Sequence, residues 1–323
     1  MLSDVMDHFE LVKEFQNVGY FETDQHKRLF REIKSSIRFG KLIAITGIVG
    51  CGKTTTLKKV RDTLAEEKEI LVSKSLSVDK ARVSLGTLIS ALFYDLATGK
   101  DFKIPTQPEK RERILQDLIR NKKLPVALFI DEAHDLHPKT LVGLKRLMEV
   151  VQDGGGILSV VLAGHPKLKN DLHRASLEEI GSRATVFTLE GITASKREYI
   201  EWLLKHCTKK GIELGSVLAP EAVDLLADRL ATPLQIGHYL TLALEESYQI
   251  GEKPVTEEVI KSVLAKDLDD LEPKLTRHGY KIKDLADELN LRPIMIRSFL
   301  RGKLPPDKTQ EIQTELLAAG IPL

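Results

Sequence analysis

The chain has 323 residues, enough for two or three domains, the first with a full core. Its formal charge of +1 excludes a global field drawing it to nucleic acid or an anionic membrane, so any basic surface has to be local. The two cysteines, Cys51 and Cys207, lack metal-ligand spacing and suit a reducing compartment without structural disulfides.

The N-terminal stretch carries acids inside its apolar pattern and has no signal-peptide core, and no run of ~20 uncharged apolar residues follows. The expectation is a cytoplasmic protein with no membrane partner. Residues 24–39 repeat Leu29, Phe30, Ile33 and Ile37 at helical spacing, and Gly40 stops the pattern. Just before it, Tyr20 and Phe21 offer two alternatives, a cover for an adenine ring or an aromatic anchor for the helix.

The apolar run Leu42, Ile43, Ala44, Ile45 predicts a strand. It enters Gly47-Ile48-Val49-Gly50-Cys51-Gly52-Lys53-Thr54, which fits G-x-x-x-x-G-K-[ST]. In such a loop the backbone N–H groups cradle phosphates at a helix N-terminus, and glycines let the backbone approach the anion. Lys53 would reach the β- and γ-phosphates of ATP and the Thr54 hydroxyl would ligate Mg²⁺. Cys51 and Thr55 count with the phosphate-binding residues.

Helix 55–67, strand 70–75 and a broadly apolar helix 83–97 follow. A polar loop over 98–108 leads to helix 109–120 and to the continuous apolar run 125–130, suited to a strand buried on both faces. That strand ends in Asp131-Glu132. Acids at the carboxyl end of a buried parallel strand stand where α/β sheets place ligands. Asp131 would hold the Mg²⁺ shell and Glu132 would polarise the attacking water.

Helix 139–151, a turn at 154–156 and strand 157–163 come next. The strand ends in Gly164-His165-Pro166, where His165 is either a γ-phosphate sensor or a turn residue. Strand 184–189 is preceded by Arg183, which would act as an arginine finger toward a neighbouring subunit; Arg174 competes for that role. From Ser195 the strand patterns cease. Helices 196–209, 220–230, 233–248 and 256–265 form a smaller all-α domain, and 267–273 is acidic and ends in Pro273. In the tail, helices 282–289 and 293–301 with a turn at 290–292 have helix-turn-helix spacing, ahead of a third helix, 308–318. Arg292, Arg297, Arg301 and Lys303 would face phosphates; few side chains of the second helix can read bases, so a protein-docking role stands beside the DNA role.

With these motifs in order, the chain resembles an AAA+ ATPase, in the variant of the transposition helpers MuB, TnsC and TniB, related to ExeA-type secretion ATPases. The resemblance rests on GIVGCGKTT, ALFIDEAHDL, VVLAGHPKL and LATPLQIGHYL. It implies an α/β P-loop core with a parallel sheet, an all-α lid and a helix-turn-helix-like C-terminal unit. The expected division is 1–193 core, 194–268 lid, 269–273 linker and 274–323 C-terminal unit. It further implies an ATP- and Mg²⁺-dependent ATPase that forms a ring or helical filament on duplex DNA and recruits a transposase. The alternatives are a secretion-machine helper and a nucleotide-gated scaffold. DNA contacts implied by the family fall on Lys80, Arg82, Lys100, Lys103 and Thr106. Two departures stand out: no Arg occupies the lid element Ala231-Thr232-Pro233-Leu234-Gln235, and Glu179 stands where relatives often carry an additional Arg.

Overall fold

The computed structural model describes residues 1, 3–75, 83–97, 103–174, 177–264, 271–300, 302 and 304–322. Lys80, Arg82, Lys100, Arg301 and Lys303 lie outside the described residues. Contacts divide the chain into two units: Asp24–Gly47 with Lys53–Leu189, and Met1–Thr23 with Ile48–Gly52 and Glu190–Leu323. The chain opens with helix α1 (Ser3–His8), which counts with the second of these.

The first unit is built on a sheet of β1 (Leu42–Thr46), β2 (Leu71–Lys74), β3 (Val126–Ile130), β4 (Leu158–Gly164) and β5 (Ala184–Thr188). Its order is β2-β3-β4-β1-β5 and every pairing is parallel. β1, β3 and β4 are buried along their whole length, whereas β2 and β5 at the edges are only partly so. This is why the three inner strands are mainly apolar, with only Thr46 and Ser159 as buried hydroxyls: both faces need cover. Helices α2 (Asp24–Arg38), α3 (Lys53–Glu67), α4 (Leu85–Leu96), α5 (Pro108–Lys122) and α6 (Pro138–Asp153) complete the layers. One apolar cluster runs through Leu88, Leu92, Leu115, Leu128, Leu144 and Val160. Each such side chain contributes roughly 1.5–3 kcal/mol on burial.

The register decides where polar groups can gather. Thr46 lies opposite Gly164 and Ile130 opposite Leu162, so β1, β3 and β4 release their next residues at one edge of the sheet. Beyond β4 the structure adds two short helices that the sequence pattern does not announce, α7 (Pro166–Leu172) and α8 (Glu178–Gly181). Pro166 sits at the first helical position, where its missing N–H costs nothing.

The helical unit joins α1 to α9 (Lys196–Cys207), α10 (Pro220–Arg229), α11 (Pro233–Ile250) and α12 (Glu257–Leu264). Val5 and Phe9 bury against a cluster with Ile200, Leu226, Ile236 and Ile260. The Val12 N–H donates to the Cys207 carbonyl at 2.7 Å, and the Lys253 ammonium donates to the His8 carbonyl at 2.9 Å. A separate cluster holds α13 (Leu271–Arg277), α14 (Ile282–Glu288), α15 (Pro293–Leu300) and α16 (Pro306–Ala318), through Leu275, Leu285, Ile296, Phe299 and Leu316. Between α14 and α15, Asn290 takes φ 51° and the Leu291 N–H returns to the Ala286 carbonyl at 2.9 Å. Asn tolerates that left-handed conformation, which makes the tight helix-turn-helix corner. Glu272 and Pro273, read from sequence as part of a linker, belong to the first turn of α13, a position a proline can occupy.

Candidate functional site

The expected phosphate loop is shared out between the units: Gly47, Lys53 and Thr54 pack with the sheet, Ile48–Gly52 with the helices. Within the sheet unit, the Gly47 N–H donates to the Gly164 carbonyl at 3.2 Å and prolongs the β1–β4 ladder. Lys53 then opens α3 and is only 6% exposed, a rare degree of burial for an ammonium. The Thr54 hydroxyl donates to Asp131 Oδ2 at 2.8 Å, and Asp131 Oδ1 accepts the Glu132 N–H at 2.9 Å. A hydroxyl and a carboxylate are thus held in contact across two elements far apart in sequence. Both offer hard oxygen donors, the set that suits Mg²⁺.

Glu132 has φ 52° and ψ 39°, a left-handed residue at the head of a 3₁₀ turn over Ala133–Asp135. That sharp reversal folds the next side chains back beside the carboxylate. His134 Nδ1 stands 3.3 Å and His165 Nε2 3.7 Å from Glu132 Oε2. The two imidazoles meet edge-on, with centroids 3.9 Å apart at 75°. Gly164 makes this approach possible, since a Cβ there would lie 3.2 Å from the His134 nitrogen of the backbone and 3.4 Å from its Nδ1. Sequence reasoning missed His134, although its signal, a histidine two residues past Glu132, was present.

The two finger candidates are placed away from this cluster of contacts. Arg183 is exposed and bonds Glu149 Oε1 at 2.6 Å; Arg174 stands 3.3 Å from Asp171 Oδ1. An exposed pair of this kind contributes about 0–1 kcal/mol, so Arg183 is not locked in place. Glu179 bonds Lys145, which with the neighbouring arginines holds its carboxyl below the usual range. Lys103, Thr106 and Arg297 are exposed.

Within the helical unit, Gly50 takes φ +81°, and a Cβ there would stand 2.6 Å from Leu234 Cβ and 2.9 Å from Thr232 Oγ1. Backbone sign and space both demand glycine. The Leu234 N–H donates to the Gly50 carbonyl at 3.3 Å and the Val49 N–H to the Arg277 carbonyl at 2.8 Å. The lid element that lacks an Arg is instead a helix cap. The Gln235 N–H donates to Thr232 Oγ1 at 3.3 Å while Gln235 Oε1 accepts the Ala231 N–H at 3.0 Å. Phe21 packs edge-on against Tyr199 and lies 5.2 Å from Trp202, both on α9. Phe21 thus anchors on α9, a partner that neither sequence alternative named. Burial pushes the Tyr199 phenol up to about 12 and the Cys207 thiol up to about 11.

A family model described as an AAA domain matches residues 38–172. The general secretion pathway protein A of Aeromonas hydrophila is 29% identical over 153 residues, covering 45% of this chain and 26% of that protein. The chain thus spans about a quarter of that relative's length. Among solved structures, the Aeropyrum pernix ORC2 protein in ADPNP–ADP complexes superposes with a TM-score of 0.54 at 16% identity, over 98% of this chain and 90% of that one. Cdc6p from Pyrobaculum aerophilum gives 0.51 at 15%, over 92% and 85%. The Thermotoga maritima RuvB Holliday junction branch migration motor gives 0.51 at 16%, over 97% and 92%.

Sheet order, phosphate loop and strand-end acids together define a P-loop nucleotide-binding fold of the AAA+ type. Residues 38–172 match an AAA domain, and the chain has the α/β fold of P-loop ATPases, with an all-α lid and a helix-turn-helix-like C-terminal unit. Among the described residues no helix is long and apolar enough to cross a membrane.

Proposed function

We propose that the chain is a cytoplasmic, Mg²⁺-dependent ATPase that assembles as a homo-oligomer, ring or filament, on duplex DNA and recruits or activates a transposase. Gly47, Gly50, Cys51, Gly52, Lys53, Thr54 and Thr55 take the ATP phosphates. Thr54 and Asp131 hold Mg²⁺, which when bound neutralises phosphate charge. Glu132 orients the attacking water, His165 stands beside it as sensor, and Arg183 serves the neighbouring subunit. The observation that carries the catalytic half is the 2.8 Å bond between Thr54 and Asp131, with Glu132 next in chain. The DNA half is supported by the α14–α15 corner, with exposed Arg292 in its turn and exposed Arg297 on its second helix. A second reading, a helper of a secretion machine, is favoured by the identity to the Aeromonas protein.

Fluorescence anisotropy of a labelled duplex, with and without a non-hydrolysable ATP analogue, separates the two. Binding is expected to tighten with the analogue, to weaken steeply between about 50 and 200 mM salt, and to lose its nucleotide response in Lys53→Ala. Absence of binding in both nucleotide states would remove the DNA half and leave the secretion reading.

A further inference from the structure

The hydrolysis scheme gives work to Glu132 and His165 but none to His134 or Asp135. Yet one ligand atom from each of Glu132, His134 and His165 lies within 4.8 Å of the others. A zinc ion bound tetrahedrally at 2.0–2.2 Å needs ligand atoms about 3.3–3.6 Å apart. The Glu132–His134 spacing of 3.3 Å meets that edge, and the Glu132–His165 spacing of 3.7 Å lies just beyond it. Two imidazoles and one carboxylate are a donor set for zinc-type ions and a poor one for Mg²⁺.

The surroundings are consistent with a built site. The ligands come from two adjacent strand ends, with Glu132 and His134 fixed by the left-handed turn and His165 by its place at the head of α7. Gly164 leaves the space that the His134 ring uses. On the far side of that ring, the Asp135 carboxylate lies 3.9 Å from His134 Nε2, beyond hydrogen-bond distance but on the side from which a carboxylate can orient a metal-bound imidazole. Half-exposed Glu132 leaves a fourth position open to water.

We propose that Glu132, His134 and His165 form a zinc-type metal site, separate from the Mg²⁺ position at Thr54 and Asp131, with Asp135 orienting His134. An ion held there takes the Glu132 carboxylate away from water, so occupancy switches hydrolysis off. That consequence rests on the proposed role of Glu132; the binding itself does not.

Metal binding is therefore measured first, on the full chain without nucleotide, by calorimetric titration with ZnCl₂ and by the visible spectrum of the Co²⁺ form. One ion per chain is expected, with the intense absorption of tetrahedral cobalt. His134→Gln and His165→Gln are each expected to weaken binding at least about 100-fold, and Asp135→Asn about tenfold. A Lys53→Ala chain should bind the metal as the parent does. In turnover assays zinc should slow the parent about 100-fold, reversibly with a chelator, and leave the His134→Gln rate unchanged by zinc. No stoichiometric binding by the parent, an octahedral cobalt spectrum, or equal affinity in the His134→Gln/His165→Gln double variant would overturn the site. Tight binding without inhibition would keep the site and count against Glu132 as the water-orienting group.

Discussion

The ends of β3 and β4 and the corner of α14 and α15 both carry polar side chains, and they arrange them in opposite ways. At the strand ends the groups converge: Thr54 on Asp131, His134 and His165 on Glu132, all within hydrogen-bond or ion-pair reach. On the helical corner Arg292 and Arg297 stay exposed while the apolar side of the same helices fills a core through Ile296 and Phe299. Convergence is what a small anion and its cation require, because a few groups must act on one bond at once. Outward repetition suits a polyanion, whose charge is spread along a line and is matched by many weak contacts. On the proposed function, the difference separates a region that acts by geometry from one whose effect depends on copy number.

If Arg183 is the finger, its removal should have the largest effect on turnover. Arg183→Ala is expected to keep ATP binding and to lower turnover by about 10³-fold or more, the scale of an arginine finger. Its pair with Glu149 is exposed, so folding should change by less than about 1 kcal/mol. Mixing Arg183→Ala with a Glu132→Gln chain tests the role in trans: steady-state phosphate release should recover. If only Arg174→Ala chains are rescued in such mixtures, the finger is Arg174.

Glu132→Gln tests convergence itself. The substitution keeps size and removes the charge proposed to orient water, so turnover should fall about 10²–10⁴-fold while a fluorescent nucleotide still binds. Parental turnover in this variant would remove Glu132 from the scheme and reduce the strand-end cluster to a structural one.

The helical corner is sharpened by a core change rather than a charge change. Ile296 is fully buried in the C-terminal cluster, so Ile296→Ala should cost about 2–5 kcal/mol in denaturant unfolding of that bundle. If duplex binding falls with it, the fold of the corner carries the contact; if binding persists, the contact lies elsewhere.

Much of this was legible from residues alone, for identifiable reasons. The three inner strands show as short, mainly apolar runs because the middle of a parallel sheet is covered on both faces, while the edge strands β2 and β5 carry more polar residues. The pairing of Thr54 with Asp131 followed from two motifs that have meaning only together. His134 escaped notice because its importance comes from the left-handed turn at Glu132, which no periodicity encodes. Helices α7 and α8 are too short for a 3.6-residue pattern to declare itself. The packing of Phe9 and Phe21 among helices that begin at Lys196 joins segments distant in sequence, and local propensity carries no trace of that.

The smallest effect expected is that of one exposed lysine, and it discriminates best between the two arrangements. Lys103 is exposed, and the family resemblance places it among the DNA contacts. If it neutralises one phosphate, Lys103→Ala should reduce the log–log salt slope by ~0.9, which is roughly a three- to fourfold change in relative affinity between about 50 and 200 mM salt. In an oligomer each subunit repeats the loss along the duplex, so the slope change should grow with nucleotide-driven assembly. Thr106→Ala removes no charge and should leave the slope alone, which makes it the control. Arg297→Ala asks the same question of the helical corner. A slope that drops for Lys103 and not for Arg297 assigns the DNA to the loop ahead of α5 and leaves the corner free for a protein partner. The reverse assigns it to the corner, and an unchanged slope in the double variant removes both from the DNA interface.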